Sequence, residues 1–261
     1  GKILAKIDIT NTLVIITADH GSYLASVNQN DKQINFEVNG ELQTIARTLG
    51  NLFPKKLRPL KNKIFFSMEK IRKNRRVSKL KNLSLKPHEK RGLLWQRSDI
   101  DHYLFDELIH VPLLFYGYGI DSGCMISQQV RTLDIFPTVA EIIGLSNRNN
   151  QIDGRSLLPL IGGKNMIESP QYIESSHLSL DIDTNDVIGV RTSEFKYFRD
   201  TKNKNNNVHL YNLKNDPFED ENISSKNPDT IIKLENILQN ILESSPNTEH
   251  KINEDNAENI E

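Results

Sequence analysis

Asp19 and His20 stand side by side at the end of an apolar run, in Asn11-Thr-Leu-Val-Ile-Ile-Thr-Ala-Asp-His-Gly21. A carboxylate oxygen and an imidazole nitrogen presented from one tight turn can reach the same divalent cation, and Gly21 lets the backbone bend away behind them. The same dipeptide also serves as a plain turn with a hydrogen-bonded histidine, so its chemistry depends on what surrounds it. Thiol chemistry has little to work with. Cys124 is the single cysteine, and one thiol neither closes an internal disulfide nor builds a cysteine metal site.

The element that must carry the pair is Leu13 to Ile16, a continuous apolar run rich in β-branched residues. Such a run reads as a strand buried on both faces, as in a parallel sheet flanked by helices, and Asp19 and His20 then lie at its carboxyl edge, where open α/β sheets place ligands. A second buried strand is expected from Val111 to Tyr116, entered through Pro112. Leu133, Phe136, Val139, Ile142 and Ile143 recur at helical spacing up to Gly144, with Pro137 suited to a first turn. A turn and a short apolar helix follow over Asp153 to Ile161. Short runs at Tyr172–Glu174, Val187–Arg191, Phe195–Phe198 and Leu210–Leu213 suggest a small antiparallel sheet. Ile231 to Leu242 has helical spacing, with Asp229 as a candidate cap.

The 261 residues carry a formal net charge of -1, with 33 Lys or Arg against 34 Asp or Glu. On totals, that gives no case for a nucleic-acid partner. The total conceals a division. From Lys55 to Arg91 there are 15 Lys or Arg against only Glu69 and Glu89, so the rest of the chain is acidic by nearly the same amount. Ile64, Met68 and Ile71 give part of this stretch the spacing of a basic amphipathic helix, a surface for anionic contact or a solvated insertion. No run reaches the roughly 18 to 20 apolar residues that a membrane helix needs. The residues from Ser244 onward are rich in Asn and Glu and are expected to be disordered.

Six blocks in order resemble the C-terminal half of a sulfatase, within the alkaline phosphatase superfamily. They are the Asn11–Gly21 run, Leu104-Phe-Asp-Glu-Leu-Ile-His-Val-Pro-Leu-Leu-Phe-Tyr-Gly117, Leu133-Asp-Ile-Phe-Pro-Thr-Val, Asp153-Gly-Arg-Ser-Leu-Leu-Pro-Leu, Val190-Arg-Thr with Lys196-Tyr, and Leu210-Tyr-Asn-Leu-Lys-Asn-Asp-Pro217. The resemblance implies an α/β fold, an alkaline-phosphatase-like parallel or mixed sheet flanked by helices and present in part, followed by a small C-terminal antiparallel sheet with a helix. It divides the chain into residues 1–165, the latter part of a catalytic α/β domain with a basic helical insertion at about 53–95, a small α+β subdomain at 166–243, and a tail at 244–261.

The resemblance also implies roles. Asp19 and His20 match positions at which sulfatases hold one divalent metal ion, Ca, Mn or Mg. An imidazole ligand favours Mn²⁺ over Ca²⁺, which prefers shells made of oxygen. His102 is the candidate for the basic group that binds the ester oxygens or protonates the leaving oxygen, although Asp101 stands where an ungapped alignment puts the family's lysine; a solvated loop histidine is the alternative. His110 is expected to be structural. His177 is a candidate for lining the substrate pocket, against a plain surface position. The implied activity is hydrolysis of sulfate esters on an anionic small molecule or glycan. Alternatives are a phosphodiesterase, phosphonate monoester hydrolase or phosphoglycerol transferase of the same superfamily, or a degenerate binding module. The family's nucleophile motif and its early Asp pair are absent from these residues, and Cys124 lacks the motif. The expectation is therefore a piece of a larger enzyme, inactive alone, with any targeting signal upstream of Gly1.

Overall fold

The computed structural model describes residues 2, 4–23, 26–29, 32–35, 67, 71, 74, 77–78, 80–81, 83–94, 104–120, 123–145, 152–176 and 186–244. Strand β1 (Leu13–Ile16) lies where the apolar run predicts it. Hairpin β2 (Ser26–Gln29) and β3 (Lys32–Asn35) follows, paired from Ser26↔Asn35 to Gln29↔Lys32, and has no strong signal in the sequence. Helix α1 (Pro87–Leu94) closes the basic stretch, and the single-turn α2 (Asp106–Ile109) precedes β4 (Leu114–Gly117).

The β1–β4 pair departs from expectation in direction and in start. It is antiparallel, with Leu13 opposite Gly117 and Ile16 opposite Leu114. An apolar run reports burial and carries no information on strand direction. The second strand begins at Leu114 because the preceding residues, including the donor-less Pro112, are used in leaving α2. Burial on both faces is also not reached: Ile16 is 47% exposed, Leu114 48% and Tyr116 42%. Among the described residues only two strands make up this sheet, too few to cover their own faces.

Helix α3 (Ile135–Ile142) has Pro137 in its first turn, as its spacing predicts, and α4 (Leu158–Ile161) is the short apolar helix. Asp134, just ahead of α3, is buried and gathers the segment around it. Its carboxylate accepts from the Arg131 guanidinium at 2.9 Å and from the Arg155 backbone N–H at 3.0 Å. Thr138, also buried, donates to the Asp134 carbonyl at 2.6 Å and accepts from Leu157 N–H at 2.9 Å, tying α3 to the start of α4. Thr138→Val keeps the volume but orphans the Leu157 donor, so it is expected to cost about 1–3 kcal/mol in urea unfolding; a change within noise would show that this hydroxyl does not join the two helices.

The remaining strands form an antiparallel meander, β5 (Gln171–Ser175), β6 (Val187–Arg191), β7 (Phe195–Asp200) and β8 (His209–Asn212), in sequence order. Alternation assigns their faces. Ile188, Val190, Tyr197 and Leu210 pack against Leu234 and Leu238 of α5 (Pro228–Ser244). Ile173, Val187, Phe198 and Tyr211 pack on the other face against Leu104 and Phe105, which lead into α2. Helix α5 starts at Pro228, leaving Asp229 within the first turn rather than at the cap, since proline fits the first helical position. Its Glu235 receives the buried Arg199 at 2.9 Å and the Tyr197 hydroxyl at 2.9 Å, clamping helix to sheet. Burial, followed by the Glu235 hydrogen bond and charge, pushes the Tyr197 hydroxyl above its usual range.

Most of the expected basic helix, including Ile64 and Met68, lies outside the described residues. Positions 67, 71, 74, 77, 78 and 80 are helical, Ile71 is exposed, and Leu80, Leu85 and Leu93 make a small buried cluster. The tail also lies outside, except Ser244, which closes α5. Among the described residues no helix is long and apolar enough to cross a membrane.

Candidate metal loop and its buried support

The turn after β1 brings the Asp19 and His20 side chains together at its tip. His20 Nε2 lies 3.7 Å from Asp19 Oδ2, and the two side chains are 71% and 88% exposed respectively. The His20 backbone N–H donates to Asp19 Oδ1 at 2.9 Å. His20 Nδ1 sits 2.6 Å from the Gly21 carbonyl, which as an acceptor fixes the proton on Nδ1 and leaves the Nε2 lone pair outward on the carboxylate side. A backbone carbonyl holding the far nitrogen is how metal-ligating histidines are commonly oriented. The donor set therefore fits a divalent cation as two ligands. Among the described residues no group of three or more His, Cys, Asp or Glu gathers to complete a shell.

Gly21 fixes where this turn sits. Its N–H donates to the Leu108 carbonyl of α2 at 2.7 Å. A Cβ there would lie 2.0 Å from the Glu107 carbonyl oxygen, so the loop backbone rests directly on α2 and only glycine permits it.

Helix α2 is one turn long and is held from outside itself. Arg191 of β6 reaches the Asp106 carboxylate twice, from Nε at 3.0 Å and Nη2 at 2.6 Å. Lys196 of β7 places Nζ 2.5 Å from Asp106 Oδ1, the oxygen that Arg191 Nε also reaches, 2.6 Å from Glu219 Oε1 and 2.9 Å from the Leu104 carbonyl. Arg191 and Lys196 are opposite each other in register, a like-charge pairing that is destabilising without an anion between them; Asp106 supplies it. Glu219 Oε2 accepts the Asp106 backbone N–H at 2.8 Å, capping a helix start that its neighbours leave open. Glu219 has φ +56°, a conformation costing about 1–3 kcal/mol in a non-glycine residue, and these two contacts offset it. From α1, Arg91 pairs with Glu107 at 2.6 Å, donates to the Phe218 and Glu219 carbonyls, and lies 3.7 Å over the Phe105 ring. His88 of the same helix lies 2.9 Å from Asp220 and stacks on Phe218.

Burial alone would raise the Asp106 carboxyl, but the Arg191 hydrogen bonds and the charges of Lys196 and Arg191 outweigh it and hold the group well below the usual carboxylate range. Glu219 goes the other way: burial, aided by the nearby Asp106, raises it against the pull of Lys196.

His110 follows α2, is exposed, and stands 3.7 Å from Asp106. A polar cleft of about 430 Å³ opens beside it, lined by Gln129, Arg131, Gln171, Arg191 and Ser193 among others. Its two arginines are already committed to Asp106 and Asp134. His102 and His177 lie outside the described residues. The buried network has no motif in the sequence; its signal is parity, since Arg191 and Lys196 share a face with the buried Val187 and Phe198.

Residues 99–245 match the sulfatase family described as N-sulphoglucosamine sulphohydrolase, C-terminal. Arylsulfatase K of Danio rerio is 32% identical over 143 residues, covering 54% of this chain and 27% of the relative. Arylsulfatase K of Homo sapiens is 29% identical over 145 residues, covering 53% and 27%. Among solved structures, a 2-O GAG sulfatase aligns with TM-score 0.47 at 25% identity over 54% of this chain and 31% of that one. The phosphonate monoester hydrolase of Agrobacterium radiobacter aligns with TM-score 0.45 at 20% identity over 54% and 30%. The chain belongs to the sulfatase family, by a match that covers more than half of it. It spans about a quarter of the length of these arylsulfatase relatives.

Proposed function

We propose that the full-length protein carrying this chain hydrolyses sulfate esters, and that Asp19 and His20 are two ligands of one divalent cation, Mn²⁺, Mg²⁺ or Ca²⁺. The observation that carries this reading is the orientation of His20, whose Nδ1 is held by the Gly21 carbonyl so that Nε2 and the Asp19 carboxylate face one point. A cation bound there supplies positive charge to ester oxygens and to the attacking group. In this reading the nucleophile belongs to residues outside this chain, which is inactive alone. His102 neutralises the ester oxygens or protonates the leaving oxygen, and His177 lines the pocket. The substrate is an anionic glycan or small-molecule sulfate ester, and the basic stretch 55–91 is a surface for anionic contact. Residues 1–165 complete the catalytic domain, and 166–243 form a subdomain packed on it.

Titration of the full-length protein with Mn²⁺ and with Ca²⁺ tests the site. Asp19→Ala is expected to weaken binding by more than the roughly 10–100-fold that an outer-shell change brings, with turnover of p-nitrophenyl sulfate lost in parallel. Unchanged metal affinity in the variant would remove Asp19 from the site. Turnover of bis-p-nitrophenyl phosphate in preference to the sulfate would move the activity to phosphate esters.

A further inference from the structure

We infer that Glu219 is a positioning residue for the Asp19–His20 loop, acting through α2. The inference rests on the cation reading of that loop. The path is continuous and short. The loop is joined to α2 by the Gly21 N–H on the Leu108 carbonyl at 2.7 Å, and the Gly21 backbone lies against Glu107 with no room for a methyl group. A helix of one turn has little rigidity of its own, so its position is set by what grips it. The grips are Arg191 and Lys196 on the Asp106 carboxylate, Arg91 on Glu107, and Glu219 on the Asp106 N–H. Glu219 is common to most of them. It caps α2, pairs with Lys196, and offers its own carbonyl to Arg91 at 3.0 Å.

Two features argue that Glu219 is placed for this work rather than as filler. Its backbone is held in the left-handed region, which a side chain resists, and its carboxylate is buried where ionisation is opposed by burial. A glycine or asparagine would satisfy the turn more readily. What these residues lack is the reach to the α2 N–H and to Lys196 together. The turn after β8 thus passes its position through α2 to the loop bearing Asp19 and His20, and so sets where that pair stands.

The test is Mn²⁺ titration of the full-length protein, with thermal melting alongside. Glu219→Ala is expected to bind Mn²⁺ about tenfold more weakly while still folded, and Glu219→Gln, which keeps an oxygen to accept the Asp106 N–H, to recover much of that loss. A purely structural role would lower the melting temperature and leave the affinity of the folded protein unchanged; that result would overturn the inference. If Glu219→Ala does not fold, Arg91→Gln reads the same coupling through the less buried Arg91–Glu107 grip, with severalfold weaker binding expected and unchanged binding overturning it. The Asp19→Ala control separates the two levels. Affinity lost there but kept in the Glu219 and Arg91 variants rejects the positioning role alone, whereas affinity kept in Asp19→Ala rejects the cation reading and this inference with it.

Discussion

Asp106→Ala is expected to destabilise the full-length protein by about 3–5 kcal/mol in urea unfolding, among the largest effects a point substitution produces. The reason is what it leaves behind. Arg191 and Lys196 are opposite one another across β6 and β7, with Lys196 fully buried. Without Asp106, among the described residues, the Arg191 side chain keeps Gln129, and Lys196 keeps Glu219 and the Leu104 carbonyl. A fully buried cation and a largely buried one then stand side by side with one carboxylate fewer, and α2 loses most of its hold. A loss within about 0.5 kcal/mol, the range of an ordinary surface change, would show that the network adds nothing.

The same carboxylate gives a signed pH dependence. Its folded pKa lies below the unfolded value of about 4, so its contribution is complete above that value and fades as pH falls from about 4 downward. Glu219 has the opposite sign. Burial raises its folded pKa, so its contribution is fullest below the unfolded carboxylate value and fades as pH rises through the raised one. Acid unfolding below about pH 4 is therefore expected to be steeper in the parent than in Asp106→Asn, and matching slopes would assign the acid limb to other groups.

Gly189→Ala is the second large effect. A Cβ at this position in β6 would lie 2.1 Å from the Tyr197 carbonyl oxygen and 2.7 Å from Phe198 Cα. These are backbone atoms of the neighbouring strand, so no rotamer change relieves the clash. With β5 paired on its other side, β6 has no free edge toward which to shift. The cost is expected to reach about 3 kcal/mol or more, seen as a large fall in melting temperature and early proteolysis within 186–213. Gly123→Ala, where a Cβ meets nothing within 4 Å, is the control; equal behaviour of the two would refute the steric argument.

Much of the fold is legible in the sequence because local periodicity and burial coincide. β1 and β6 fall on their predicted residues, and α3 and α5 within a few; β6 and α5 do so because their apolar faces meet. The direction of the β1–β4 pair is not legible, because both directions bury the same side chains. Asp19 and His20 are legible as a pair, and the structure adds the tautomer and the contact with α2. The support of that loop is hidden because it is assembled across the chain: Asp106 meets partners 85, 90 and 113 residues away. The blocks that mark the family, Lys196-Tyr and Asn-Asp-Pro217 among them, turn out to contain or adjoin those partners.

The cap that Glu219 places on α2 also has a consequence for biosynthesis. The loop bearing Asp19 is made before Glu219, and its support is complete only when the turn after β8 has been translated. A nascent chain cut short before that turn would hold Lys196 and Arg191 with one carboxylate where the finished protein has two. Truncation before Glu219 would on this geometry loosen the loop that bears Asp19 and His20, although neither residue is touched by the cut.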